Sequence, residues 1–147
     1  MSRSIYFFLI VLFSFSTISF TSDGPKKQNK LVVQLTGMTS NKGNVKIALC
    51  NSSTNYENHK SPFIGKTIPI NNNIAVIIFE DLPEGEYAIK AFHDEDANDD
   101  LNTNFLGIPV EDYGFSNNAR GMFGPPSWED AKFRFNDDNK VIEIVIK

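Results

Sequence analysis

The sequence predicts an all-β fold, an antiparallel sandwich of seven strands that carries one long ordered loop. Three observations lead there. Apolar and polar residues alternate with a period of two in segment after segment, and no long stretch repeats at 3.6. Clusters of Gly, Pro, Asn and Asp separate these segments, as turns between strands require. One interval, residues 93–131, has no strand pattern, yet it holds Phe105, Leu106, Ile108, Tyr113, Phe115, Phe123 and Trp128. That is too much apolar mass for a solvated tail, and ordered connections of such length are usually functional.

The first strand is predicted over residues 30–36, where Leu31, Val33 and Leu35 face one way. The turn Thr39-Ser-Asn-Lys-Gly-Asn44 leads into residues 45–50, with Val45, Ile47 and Leu49 on one face, and the two segments suggest a hairpin. Cys50, the only cysteine, ends that strand as a small core residue and has no internal disulfide partner. Residues 51–61 are polar and loop-like. Strands over 63–70 and 74–79 are joined across Asn71-Asn72-Asn73, residues that tolerate left-handed backbone. In residues 86–92, Tyr87, Ile89 and Ala91 alternate with Ala88, Lys90 and Phe92. Residues 132–135 and 140–147 flank Asn136-Asp-Asp-Asn139 and suggest a last hairpin, with Ile142, Ile144 and Ile146 on one face.

Seven short strands of this kind point to an immunoglobulin-like or transthyretin-like sandwich. The lead-in Asp81-Leu-Pro-Glu-Gly-Glu-Tyr87 supports it, because such sandwiches have a corner where a tyrosine hydroxyl ties back to nearby backbone. A plain turn before a strand is the competing reading. Within the long loop, Ser127-Trp-Glu-Asp130 predicts a short helical turn in which Ser127 caps the amide three residues on.

Ahead of the strands, Arg3 precedes an unbroken apolar run from Ile5 to Phe13, and Ser, Thr and Phe fill the stretch to Ser22. The pattern is that of a secretory leader over residues 1–22, with a linker over 23–29 and the sandwich domain over 30–147. The run is shorter than the ~20 residues that cross a bilayer, so no membrane span is expected after cleavage. A leader retained as an anchor is the alternative. The expected destination is periplasmic or secreted. A formal net charge of −4 argues against nucleic acid as a partner, since phosphate backbones require clustered basic residues.

The chemistry concentrates in Asp94-Glu-Asp-Ala-Asn-Asp-Asp-Leu-Asn102. Oxygen-bearing side chains at Asp94, Asp96, Asn98, Asp100 and Asn102 follow the alternate spacing by which one loop wraps a calcium ion. The sixth position is Asp99 where Gly is usual, and the twelfth is Phe105 where a bidentate Glu is usual. Glu111 or Asp112 is placed to complete the shell from beyond the loop. A solvated acidic turn is the alternative, and magnesium suits an all-protein cage poorly.

Other candidates are weaker. His93, just before the loop, would act as a base paired with Asp94 in a hydrolase-like enzyme, but a structural histidine is the commoner case. His59 sits in polar loop, and two histidines and one cysteine so widely spaced do not compose a zinc site. Ser116 lacks the flanking glycines of a nucleophile elbow. Tyr113, Phe115, Arg120 and Trp128 are the candidate ligand-binding residues: aromatics for a sugar or peptide groove, and a guanidinium for an anion or an acid of the loop. The plainer alternative makes the aromatics a cap on the open end of the sandwich, with Arg120 bracing the loop.

The segments His93 to Pro109, Glu111 to Arg120 and Phe123 to Ala131 closely resemble the bacterial family called domain of unknown function 2141, and the resemblance extends over nearly all of the chain after the leader. It implies an exported, sandwich-like domain. The family's loop usually has Gly at the sixth position and often Asp at the ninth, where this chain has Asp99 and Asn102. Leu82 to Tyr87 is also similar to the turn and strand of carboxypeptidase regulatory-like and transthyretin-like domains. Hydroxyisourate hydrolases of the latter group end Tyr-Arg-Gly-Ser, whereas this chain ends Val-Ile-Lys, which disfavours that activity. The residues favour a non-enzymatic binding or structural module with a cation-organised loop, its partner a protein or a glycan, over a hydrolase-like enzyme built on His93 and the loop acids.

Overall fold

A computed structural model describes residues 29–58, 61–136 and 138–147. The expected leader, nearly all of the linker and His59 lie outside the described residues. Among the described residues eight strands form: β1 (Lys30–Thr36), β2 (Asn44–Cys50), β3 (Ile64–Pro69), β4 (Ala75–Glu80), β5 (Gly85–Asp94), β6 (Tyr113–Phe115), β7 (Phe133–Phe135) and β8 (Lys140–Val145). Two short helices, α1 (Ser53–Glu57) and α2 (Trp128–Ala131), and a 3-10 turn at Ser116–Asn118 accompany them. No helix among these residues is long and apolar enough to cross a membrane.

The strands make two sheets. One has the order β4-β1-β8, the other β3-β2-β5-β6, with β7 paired to the start of β5. The alternation in the sequence becomes the core between them. Leu31, Val33 and Leu35 of β1 and Ile144 of β8 are fully buried against Val45 and Leu49 of β2 and Ile89 of β5. Each such side chain contributes about 1.5–3 kcal/mol on burial, so this shared layer is what holds the sheets together. At its margin the Tyr87 hydroxyl donates to the Pro83 carbonyl at 2.8 Å, the backbone tie the sequence suggested, and the ring packs edge-on to Phe135.

Strand pairing departs from the sequence-based expectation. Among the described residues the strands number eight rather than seven, because Tyr113–Phe115, inside the long loop, pairs with β5. The fold is not wholly antiparallel: β1 runs antiparallel to β4 but parallel to β8. β1 and β2 form no hairpin, since they belong to different sheets, and neither do β7 and β8. Asn72 and Asn73 take left-handed φ values of 51° and 59° in a tight turn, as expected, yet β3 and β4 then part into opposite sheets. One reason covers all of these. A strand that pairs with its neighbour and a strand that crosses to the facing sheet both bury every second residue, so alternation cannot choose between them.

Candidate metal centre and the adjoining groove

β5 ends at Asp94, which is fully buried on the outer face of the five-stranded sheet. The chain then winds around its carboxylate. Asp94 Oδ1 accepts the Asn98 amide at 3.0 Å and Oδ2 the Asp99 amide at 3.1 Å. Two left-handed residues, Ala97 (φ 56°) and Asp99 (φ 73°), make this tight path, so the position where calcium loops favour Gly has the expected backbone here with an Asp in place. Gly43 permits a second close approach. Its φ is 62°, and a Cβ there would lie 1.9 Å from the Asp94 carbonyl oxygen.

Asp96 and Glu111 join the first carboxylate. Asp96 Oδ2 accepts from the side-chain amides of Asn98 at 3.1 Å and Asn102 at 2.9 Å. Glu111 Oε1 accepts the Glu95 amide at 3.0 Å, and Oε2 the Asn102 amide at 2.9 Å. Oxygens of Asp94, Asp96 and Glu111 all lie within 4.8 Å of one another. At that range, like charges repel by about 3 kcal/mol per pair at an effective dielectric of 20. Among the described residues, the ion pair that reaches Asp94 comes from Lys46 Nζ, at 3.9 Å from Oδ2. That ammonium also pairs with Asp99 and donates to the Thr67 hydroxyl at 3.0 Å. The donor set is entirely oxygen, carboxylates with two amide side chains alongside, which is the chemistry of a hard divalent cation.

Four of the five residues singled out by spacing, Asp94, Asp96, Asn98 and Asn102, come together with Glu111. Asp100 does not join them. Its amide donates to Asn98 Oδ1 at 2.8 Å, and its exposed side chain lines the neighbouring groove. Phe105, at the twelfth position, is 95 % exposed at the tip of a short hairpin in which Asn104 Oδ1 accepts the Leu106 and Ile108 amides. Glu111, from beyond the loop, is the carboxylate that stands beside Asp94 and Asp96 instead.

His93 is fully buried and leaves β5 on the face opposite Asp94, with Nε2 2.8 Å from the Lys42 carbonyl. Ser116 Oγ is held by backbone, accepting the Ile89 amide at 2.9 Å and donating to the Ala131 carbonyl at 2.5 Å.

Beside the acidic loop the outer face of the same sheet forms a groove of about 850 Å³. Lys46, Lys90, Phe92 and Tyr113 of the sheet line it, with Pro109 and Pro125 from the loops. Phe92 sits directly opposite Tyr113 across the β5–β6 ladder. Lys46 opposes Phe92, and Ala48 opposes Lys90, so the two lysines are diagonal neighbours on one face. The Lys90 ammonium donates to the Tyr56 carbonyl at 2.5 Å and lies 5.1 Å over the Tyr56 ring. Burial pushes it below its ordinary 10.5, opposed by the nearby Cys50 thiol.

Of the candidate ligand-binding residues, Tyr113 and Phe115 line this groove. Trp128 is half-buried and packs edge-on to Tyr56 at 5.9 Å, in a second apolar cluster with Cys50, Ala88, Phe115 and Ala131. Ser127 caps α2 at the Asp130 amide, as expected. Arg120 is exposed and, among the described residues, forms no ion pair with an acid of the loop. Sequence reasoning missed Lys46 and Phe92, which look like ordinary outward strand positions. It also missed α1, whose signal was Ser52 followed three residues later by Asn55, a capping box with Asn where Glu or Gln is usual.

A family model described as an uncharacterized protein conserved in bacteria, domain of unknown function 2141 (DUF2141), matches residues 33–143. No curated protein and no solved structure matches the chain.

Proposed function

The chain belongs to the bacterial DUF2141 family, and from its site we propose that it is a non-enzymatic binding module whose acidic loop is organised by calcium and whose adjoining groove takes the ligand. The observation that carries this is the convergence of Asp94, Asp96 and Glu111 within 4.8 Å, with Asp94 fully buried. A buried carboxylate beside two others needs positive charge, and Lys46 at 3.9 Å is shared with Asp99. The side-chain amides of Asn98 and Asn102 brace Asp96, so three carboxylates with water would supply the six to eight oxygens calcium takes, whereas magnesium holds to a strict octahedron. The separation of His93 and Asp94 onto opposite faces of β5 favours binding over hydrolysis.

The apolar leader read from the sequence makes the molecule an exported one, periplasmic or secreted. The Tyr87–Pro83 tie favours kinship with immunoglobulin-like sandwiches. A glycan or a protein segment is the expected occupant of the groove, with Tyr113 and Phe115 in contact with it.

The test is calorimetric titration of chelator-stripped protein with calcium. Heat of binding and a rise in melting temperature with calcium concentration are expected. Asp94→Asn should weaken binding at least tenfold, about 1.4 kcal/mol, with the β-sheet circular dichroism retained. No heat and no shift in melting temperature would remove calcium from the proposal.

A further inference from the structure

We propose that β4 pairs with β4 of a second copy of this chain, antiparallel about a two-fold axis at Ile78, so that two three-stranded sheets join into one. β4 is an outer strand of its sheet, with β1 on one side. Three hydrogen bonds fix which of its backbone groups face outward. The Asp81 amide donates to the Asn29 carbonyl at 3.2 Å. In the register of Leu31 with Phe79 and Val33 with Ile77, the odd-numbered residues of β4 therefore turn their N–H and C=O groups to β1. Ile74 exchanges both of its backbone groups with Asn71, at 3.1 and 2.8 Å, on the side away from β1. Val76, Ile78 and Glu80 point the same way as Ile74, and among the described residues no strand meets them.

The other outer strands are guarded. On β8 the Asn118 side chain stands in for a strand, accepting the Val145 amide at 2.8 Å and donating to the Glu143 carbonyl at 3.4 Å. On β6 the Lys147 amide donates to the Tyr113 carbonyl at 3.1 Å. β3 carries an exposed Lys66 and ends at Pro69, and β7 has three residues. Charge, Pro and shortness are the means by which proteins blunt an edge, and β4 has none of them over Ile74-Ala-Val-Ile-Ile-Phe79. Val76 and Ile78 are 50 % and 52 % exposed on it. An apolar, β-branched edge of this kind is a template for another strand.

A second copy is the occupant because the open edge is complementary to itself. It runs from Val76 to Glu80, bounded by the Asn71–Ile74 turn at one end and by Asp81, left-handed at φ 54°, at the other. Ile78 is its midpoint. Pairing about that midpoint sets Ile78 against Ile78, and Val76 against Glu80 of the other copy, with about six backbone hydrogen bonds. No like charges meet. Each Glu80 keeps its own Lys30, at 2.9 Å, and the two Glu80 residues fall at opposite ends of the new ladder. Val32 stands between Ile78 and Val141, so the apolar row on the sheet face runs on through both copies. The acidic loop and the groove belong to the other sheet and stay open, one set on each copy.

The experiment is sedimentation equilibrium of the full chain, repeated on Ile78→Lys and Val141→Lys, each checked for folding by circular dichroism. The wild-type chain should dimerise in the micromolar range. Ile78→Lys opposes two ammonium groups at the axis and should weaken the dimer by roughly tenfold or more. Val141→Lys, two strands away on the same face, should leave the dimer intact. Oxidative cross-linking reads the register without a buried charge and decides the matter should Ile78→Lys not fold. Ile78→Cys should give a disulfide-linked dimer, because residues opposed in such a ladder stand about 5.5 Å apart at Cα. Val76→Cys should not, because its two copies would lie about 14 Å apart. The native Cys50 is buried and stays out of the reaction. A chain that stays monomeric up to about 1 mM overturns the proposal. So does a dimer that Val141→Lys breaks and Ile78→Lys spares, which places the contact on the sheet face. Failure of Ile78→Cys to cross-link, or equal cross-linking by Val76→Cys, overturns the axis at Ile78.

Discussion

The two faces of β5 show two ways of using one strand. On the inner side Tyr87, Ile89 and Ala91 enter the apolar layer between the sheets, and His93 follows them fully buried, its Nδ1 without a hydrogen-bond partner among the described residues. On the outer side Lys90, Phe92 and Asp94 lie beneath loops, where backbone amides hold carboxylates and a lysine serves two acids. The inner face is held by apolar contact. The outer face gathers acids around a shared lysine, and its contacts are polar.

The sharpest way to break this comparison is to damage the inner face and watch the outer one. Ile144→Ala removes a fully buried side chain and should cost about 2–5 kcal/mol in chemical denaturation, with calcium heat per folded molecule unchanged. A loss of calcium binding in the folded fraction would show that the faces are not independent.

Alkali should act the other way round, on the outer cluster first. Burial raises Cys50 above its ordinary 9.0, partly offset by Lys90, and raises Tyr56 above 10.0, with Cys50 and Asp130 adding to the rise. Their protonated forms are favoured in the folded chain, so the stability they contribute is whole below pH 9 and falls as pH rises through the folded values. Faster alkylation of Cys50 and a change in Trp128 fluorescence should therefore precede loss of the far-ultraviolet β signal. Simultaneous loss of all three would make the two clusters one cooperative unit.

The smallest effect sharpens the account of the loop. Asp99→Gly relieves a left-handed residue at φ 73° and should raise stability by about 1 kcal/mol or less, read from the melting temperature. A fall instead would mean that the Lys46 pair with Asp99 outweighs the backbone strain.

The sequence made the inner face legible because alternation and burial are the same fact there. Leu31, Val33 and Leu35 alternate on paper and are fully buried in the fold, and the first strand has the bounds its pattern indicated. Tyr87 was legible through its Pro-Glu-Gly lead-in. Strand partners were not legible, because Val45 is buried whether β2 lies beside β1 or across from it. In the loop the spacing found Asp94, Asp96, Asn98 and Asn102, and Glu111 emerged only as one of two options from beyond it. Lys46 was hidden. It lies 48 residues before Asp94, and only the β2–β5 ladder brings the two near each other. Arg120, the conspicuous cation on paper, is exposed in the fold.

The parallel ladder of β1 with β8 has a consequence for how the molecule comes into being. Val33 faces Ile142 across it, so closing that edge brings together residues 109 positions apart. Pairings so distant along a chain slow folding. Until β8 docks, β1 presents an open edge on which a strand of another copy can pair.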